Sequence, residues 1–133
     1  MANDSVLLLG GTGTIGRATA QALRAAGFHV IALIRPTADA GILPGCTVIR
    51  GELTSDRLSQ AMTGVGAVVS CLASRSGEPQ DAWAVDHAAN LAALTAAVAA
   101  GVRHFTLLSA ICVQRPRLEF QRAKLAFEAA LQM

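Results

Sequence analysis

A glycine-rich segment near the start of the chain limits the possible folds more than any other feature. Residues 6–16 read VLLLGGTGTIG, an apolar run that enters a glycine cluster and leads into a segment with helical spacing. Glycines at such a turn permit a tight bend, close approach of the backbone to a pyrophosphate and tight packing of helix on strand, so the pattern is typical of dinucleotide-binding domains. The glycines satisfy both GxGxxG, from Gly11, and GxxGxxG, from Gly10. The residues expected to bind the cofactor here are Gly10, Gly11, Thr12, Gly13, Thr14, Ile15 and Gly16.

Apolar strands and helices alternate along the rest of the chain. The predicted strands are Val6–Leu9, His29–Ile34, Thr47–Arg50, Ala67–Cys71 and Arg103–Ser109. The predicted helices are Ile15–Ala26, Asp56–Met62 with Thr54 or Ser55 as its cap, Ala82–Ala100 and Leu118–Leu131, while Pro36–Gly45 is a loop or a vestigial helix. Strands that are apolar on both faces indicate a parallel sheet covered on both sides. The predicted fold class is α/β, a doubly wound parallel sheet of the NAD(P)-binding, Rossmann-like type.

Length and composition agree with one domain. The chain has 133 residues, 53% of them hydrophobic and 15% charged, which supplies a core and excludes a chain disordered by high charge. A complete sheet of this type continues into a sixth strand, and only five are predicted here. We therefore expect residues 1–133 to form a Rossmann-like domain that is truncated at its C-terminus.

Charge, hydropathy and cysteine spacing exclude several kinds of partner. Eleven basic and nine acidic residues give a net charge of +2, and no cluster of Lys or Arg with aromatic residues suggests nucleic-acid binding. The alanine-rich run Leu91–Ala100 is too short to cross a bilayer, and the N-terminus lacks a secretory signal pattern. Cys46, Cys71 and Cys112 lack metal-ligand spacing and are expected to be small buried residues. We expect no nucleic acid partner, no membrane span, no metal and a cytoplasmic location.

The end of the second predicted strand indicates which cofactor is bound. An acidic residue about 20 positions beyond the glycines would bind the ribose 2′-hydroxyl of NAD. That position is Arg35, 19 residues after Gly16, and a guanidinium pairs well with a 2′-phosphate, so NADP(H) is predicted. Ligands of such sheets lie beyond the carboxyl ends of the strands. The further residues expected to line the cofactor are Glu52 and Leu53, near the adenine, and Leu72, Ala73 and Ser74, near the nicotinamide ribose.

Candidate catalytic residues lie in the C-terminal part of the chain. Ser109 ends the fifth predicted strand, where a polar group would face the nicotinamide, and Phe120 and Lys124 share one face of the last helix. In short-chain dehydrogenases Tyr and Lys occupy that spacing, but this chain has no tyrosine, so carbonyl reduction with a tyrosine proton donor is not expected. We predict Ser109 and Lys124, the one lysine, as catalytic residues, with Lys124 also binding the cofactor. Trp83 and His87 either pack together, which we favour, or face a site.

Longer segments carry a more specific resemblance. ALIRP, CLASRSGEPQDAW and LLSAICVQRPRLEFQRAKLAFE, with the glycine turn, resemble the divinyl chlorophyllide 8-vinyl reductases, an atypical, NmrA-like branch of the short-chain dehydrogenase superfamily. The glycine turn is common to the superfamily, whereas the two long segments are specific. The resemblance covers nearly all of the chain. It implies a further strand and a C-terminal substrate lobe beyond residue 133.

The resemblance also implies an activity. It would be the NADPH-dependent reduction of the 8-vinyl group of a divinyl (proto)chlorophyllide, a tetrapyrrole, to ethyl in chlorophyll or bacteriochlorophyll synthesis. Lys124 would bind the ribose and Phe120 would lie beside the macrocycle, because reduction of a conjugated C=C bond needs no tyrosine on a carbonyl oxygen. The alanine- and arginine-rich composition, without a transit-peptide pattern, favours a bacterial, cytoplasmic member.

Two other functions fit the same residues. One is a non-catalytic NADP(H)-binding module of the NmrA type that senses redox state through a partner. The other is a different atypical reductase or isomerase that acts on a flavonoid or quinone. The oligomeric state and the proton donor stay open.

Overall fold

Five parallel strands form one sheet in the computed structural model, which describes residues 4–74, 76, 78–110 and 113–132. The strands are β1 (Ser5–Leu9), β2 (His29–Ile34), β3 (Thr47–Arg50), β4 (Ala67–Ser70) and β5 (His104–Leu107). Their order across the sheet is β3-β2-β1-β4-β5, and each neighbouring pair is parallel. The direction of winding reverses between β1 and β4, so a crevice opens at the carboxyl ends of these two strands.

Helices follow the strands on both sides of the sheet. They are α1 (Thr14–Ala25), α2 (Ser55–Ala61), α3 (Pro79–Ala82), α4 (Asn90–Ala99) and α5 (Glu119–Gln132). A π-helical segment, Trp83–Ala89, joins α3 to α4, and a 3-10 turn, Ala40–Ile42, precedes β3. Helix α2 begins where the Thr54 hydroxyl accepts a hydrogen bond from the Arg57 N–H at 3.2 Å. None of the helices in the described ranges has the length and apolar character needed to cross a membrane.

Alternate residues of the strands pack on opposite faces of the sheet. On one face, Leu7 and Leu9 of β1 form a core with α2 and α4. On the other face, Leu8 of β1 packs with Val30 and Ala32 of β2 and with Ala20 of α1. All of these side chains are buried. The prediction of a doubly wound parallel α/β sheet is therefore confirmed.

The largest difference from prediction lies in the helix expected at Ala82–Ala100. This helix begins at Pro79, whose fixed φ and missing N–H suit the first turn of a helix. Its middle, Trp83–Ala89, is π-helical, a form that the sequence pattern does not distinguish within the predicted helix. The other helices and strands lie within two residues of the predicted bounds at either end. Between Pro36 and Gly45 the chain is a loop with the single 3-10 turn.

The cysteines are less buried than expected. Cys46 and Cys71 are both only partly buried, and Cys112 lies outside the described residues. Burial raises the pKa of the Cys46 thiol, and the charge of Arg24 acts in the opposite direction.

Candidate functional site

The glycine turn between β1 and α1 contains two glycines that the chain's own packing requires. Gly10 has a φ of +73°, and a Cβ there would lie 2.5 Å from the backbone carbonyl carbon of Cys71. At Gly16 a Cβ would collide with the Gly10 carbonyl oxygen. A Cβ at Gly13 would only reach that same oxygen at 3.7 Å, an ordinary contact. The turn therefore uses the GxxGxxG spacing, and Gly13 leaves room for a ligand rather than for the protein.

The start of helix α1 favours an anion. Gly13 is its N-cap and has no side chain to bond the first amide groups, and no acidic residue lies in the first turn. Such a terminus carries partial positive charge and free N–H donors, the features that bind pyrophosphates in dinucleotide-binding domains.

A cleft of about 590 Å³ runs along the carboxyl ends of β1 to β4. Its lining contains Gly10, Gly11, Thr12, Gly13, Leu33, Ile34, Arg35, Gly51, Glu52, Leu53, Cys71, Leu72, Ala73, Ser74, Val85 and Ala89. Every predicted residue from the ends of β2, β3 and β4 is present in this lining, together with Gly10–Gly13. Thr14, Ile15 and Gly16 are not: Ile15 is 55% exposed, and Gly16 is buried beneath the turn.

Arg35 lies at the edge of this cleft with its side chain available. Within the part of the chain that the structure describes, its guanidinium has no ion pair or hydrogen bond. The loop that follows it is held by Arg50, whose Nη1 donates to the carbonyl oxygens of Pro36 at 3.0 Å and Ala38 at 2.6 Å. Arg50 was not among the predicted site residues, although it ends β3 directly beside Ile34 of β2. It fixes the backbone from which Arg35 projects.

A second cavity, of about 330 Å³, adjoins the first. Its lining contains Ala73, Ser74, Ser76, Asp86, Leu108, Ser109, Ala110, Phe120 and Lys124. Ala73 and Ser74 line both cavities, so the two spaces meet at the loop after β4. The second cavity brings together Ser109, Phe120 and Lys124, as the sequence predicts.

Lys124 is buried and fully engaged. Only 3% of its side chain is exposed, and its Nζ donates to the carbonyl oxygens of Leu72 at 2.6 Å and Leu108 at 3.0 Å. The same ammonium lies 3.3 Å from Oδ1 of Asp86, whose side chain is 1% exposed. That oxygen makes no hydrogen bond among the described residues, so the contact is an ion pair without hydrogen-bond geometry. Lys124 thus links the ends of β4 and β5 to the π-helical segment.

Sequence reasoning missed Asp86 and Glu128. Asp86 is a lone acid in an apolar helical stretch, which is a weak signal of a buried partner. Glu128 accepts a hydrogen bond from the Ser109 hydroxyl at 2.6 Å. It lies four residues after Lys124 and hence on the same side of α5, which could have indicated it.

Trp83 and His87 form the expected packing pair. Their rings are 5.5 Å apart in an edge-to-face arrangement. The Trp83 indole also donates to Oε2 of Glu119 at 2.8 Å, which ties the π-helical segment to α5. This hydrogen bond, with a smaller contribution from Arg122, holds the pKa of the Glu119 carboxyl below its usual value, against the opposing effect of burial.

A protein-family model described as NAD(P)H-binding matches residues 10–132 of the chain. The chain belongs to this NAD(P)H-binding family. A short-chain dehydrogenase/reductase superfamily protein from Agrobacterium tumefaciens, crystallised with bound NAD, is 29% identical and superposes with a TM-score of 0.83 over 96% of this chain and 44% of that one. NAD(P)H is therefore the class of cofactor.

Relatives of this NAD(P)H-binding chain include a plant reductase and an assembly factor. Divinyl chlorophyllide a 8-vinyl-reductase, chloroplastic, of Arabidopsis thaliana is 44% identical over 96% of this chain and 34% of its own length. Photosystem II assembly factor Ycf39 of Trieres chinensis is 30% identical over 96% of this chain and 41% of its own. The resemblance to the 8-vinyl reductases is confirmed, and the chain spans about a third of their length.

The predicted bacterial, cytoplasmic location is wrong. Four vinyl-reductase relatives with 40–44% identity are all plant proteins described as chloroplastic. Alanine and arginine content depends on the base composition of the gene and on helix propensity, not on cell compartment. It therefore could not predict the location.

Replacing Lys124 tests the buried ion pair. Lys124→Met leaves the Asp86 carboxylate buried without its cation, so we expect the free energy of unfolding to fall by about 3–5 kcal/mol. Urea denaturation measures this, and adding Asp86→Asn to the same chain should recover part of the loss. The control is Arg122→Met on the same helix, which breaks the exposed pair with Glu119 and should cost less than about 1 kcal/mol. Equal losses in Lys124→Met and Arg122→Met would contradict the structural role of the pair.

Proposed function

We propose that this chain is the cofactor-binding part of an NADPH-dependent reductase that converts the 8-vinyl group of a divinyl chlorophyllide to an ethyl group. The observation that carries the proposal is the 44% identity to the Arabidopsis 8-vinyl-reductase across 96% of the chain. In this proposal residues 1–133 act as one Rossmann-like domain. The tetrapyrrole would be bound mainly by parts of the reductase outside the third of its length that this chain matches.

The residues present fit an NADP(H) molecule. Gly13 leaves space beside the start of α1 for the pyrophosphate, and Arg35 is exposed at the end of β2 for the 2′-phosphate. Glu52 and Leu53 line the adenine end. Leu72, Ala73 and Ser74 line the nicotinamide ribose end, next to the second cavity.

The second cavity suits reduction of a carbon–carbon double bond. Its wall carries the phenyl ring of Phe120, which gives a flat apolar surface and cannot donate a proton. With NADPH held at the glycine turn and Arg35, the cofactor would supply a hydride for one vinyl carbon, and the other vinyl carbon would take a proton. Ser109 is one of three serines on this wall, with Ser74 and Ser76, and its hydroxyl donates a hydrogen bond to the half-buried Glu128. Ser109 and Lys124 are the residues that we assign to the reacting end.

A second candidate function is an NADP(H)-binding module without catalysis. The 30% identity to the photosystem II assembly factor Ycf39 favours it. Such a module would use the same cleft to bind cofactor and would leave the vinyl group unreduced, so an activity measurement separates the two functions.

Replacing Arg35 tests the choice of cofactor. Arg35→Ala removes a charge-assisted pair with the 2′-phosphate, so the Kd for NADPH should rise about 10- to 100-fold while the Kd for NADH stays the same. Titration calorimetry measures both constants. The control, Arg103→Ala, removes an exposed arginine at the amino end of β5, away from the cleft, and should change neither Kd. An unchanged NADPH affinity in Arg35→Ala would contradict the assignment.

A chimera tests the reductase function. This chain is placed in the Arabidopsis 8-vinyl-reductase in exchange for the segment that it matches, and the product is incubated with NADPH and divinyl chlorophyllide. We expect conversion of vinyl to ethyl, followed by chromatography and the absorbance change of the pigment. A chimera that binds NADPH yet leaves the vinyl group intact would favour the non-catalytic module.

A further inference from the structure

A buried carboxylate in the wall of the second cavity has no role in the function proposed above. Asp86 is 1% exposed and lies in the π-helical segment Trp83–Ala89, among mostly apolar side chains. A carboxylate is retained in such a place only when its charge is paired and hydrogen-bonded, because burying it alone is very costly. π-Helical turns are rare and occur frequently at functional sites. Two independent features therefore mark this position.

The contacts of Asp86 reach the loop after β4 from two directions. Its Oδ2 accepts a hydrogen bond from the backbone N–H of Ser74 at 3.3 Å, and its Oδ1 pairs with Lys124. Lys124 in turn donates to the carbonyl oxygen of Leu72, in the same loop, and to that of Leu108 after β5. The carboxylate thus fixes both the loop and the ammonium group that the proposed function assigns to the reacting end.

A second buried group extends the same network. The Asn90 amide donates to the Asp86 carbonyl oxygen at 3.1 Å, and its Oδ1 accepts a hydrogen bond from the Ser70 hydroxyl. That hydroxyl also accepts from the N–H of Leu72 at 3.4 Å. Residues 70–74 are therefore held through the Ser70 hydroxyl by Asn90, through the Ser74 N–H by Asp86, and through the Leu72 carbonyl by Lys124 of α5.

We propose that Asp86 is a positioning residue for the nicotinamide end of the cofactor. It holds Lys124 and the Ser74 N–H in fixed places, so that residues 72–74 are ordered before the cofactor arrives; this inference rests on the proposed binding of NADP(H). Order already present in the free protein lowers the entropic cost of binding. Loss of the carboxylate then weakens ligands that reach residues 72–74 and spares ligands that reach only the glycine turn and Arg35.

Two ligands distinguish positioning from general stabilisation. NADPH spans both ends of the cleft, whereas adenosine 2′,5′-bisphosphate has the adenine and the 2′-phosphate but no nicotinamide half. For Asp86→Asn we expect the Kd of NADPH to rise about tenfold, as for one lost charge-assisted hydrogen bond, and the Kd of adenosine 2′,5′-bisphosphate to stay the same. Both are measured by calorimetry on the 133-residue chain. The control is Asp56→Asn, an exposed acid in the first turn of α2, which should change neither constant.

The deciding quantity is the ratio of the Kd of NADPH to the Kd of adenosine 2′,5′-bisphosphate, compared between the variant and the wild type. Unchanged NADPH binding in Asp86→Asn, or an equal loss for both ligands, would overturn the positioning role. Should Asp86→Asn fail to fold, Asp86→Glu keeps a carboxylate beside Lys124 but displaces it from the Ser74 N–H, and this variant is titrated with the same two ligands. A ratio equal to that of the wild type would again overturn the inference. A wild-type chain that binds neither ligand would instead contradict the proposed cofactor function.

Discussion

The loop after β4, residues 71–74, is the element on which both cavities depend. On one side the Gly10 backbone approaches Cys71 so closely that no side chain fits between them. On the other side Lys124 and Asp86 bond the carbonyl of Leu72 and the N–H of Ser74. Because the loop is held from both directions, the glycine turn and the wall with Ser109 keep a fixed separation. The side of the loop that faces the second cavity is therefore held by buried polar contacts.

The fold could be predicted from the sequence almost completely. Gly10 and Gly16 are demanded by local geometry, and apolar strands that alternate with helices specify the parallel sheet. Arg35 could also be placed, since a residue at the end of a strand has a known position in such sheets. These features depend on neighbours along the chain or on rules of sheet topology, so the sequence alone carries them.

The buried polar partners could not be predicted in this way. Asp86 and Lys124 are 38 positions apart, and no periodicity or spacing connects them. The π-helical turn also has no propensity signal, so the sequence predicts a helix over Ala82–Ala100 without indicating its π-helical part. Lys124 was expected to reach a ribose freely, whereas the structure shows it already bonded to two carbonyl oxygens. Such networks arise only when distant elements of the chain meet in the folded structure.

The most direct test of cofactor binding at this edge of the sheet is an NMR titration of the isotopically labelled chain with NADPH. Amide signals of Gly10–Gly13, Arg35 and Ser74 should shift, with saturation at one equivalent of cofactor. Amide signals of residues before the amino ends of the strands, such as Gly64 and Arg103, should not shift. Shifts confined to the amino ends of the strands, or no saturable shift at the glycine turn, would contradict cofactor binding at the carboxyl ends.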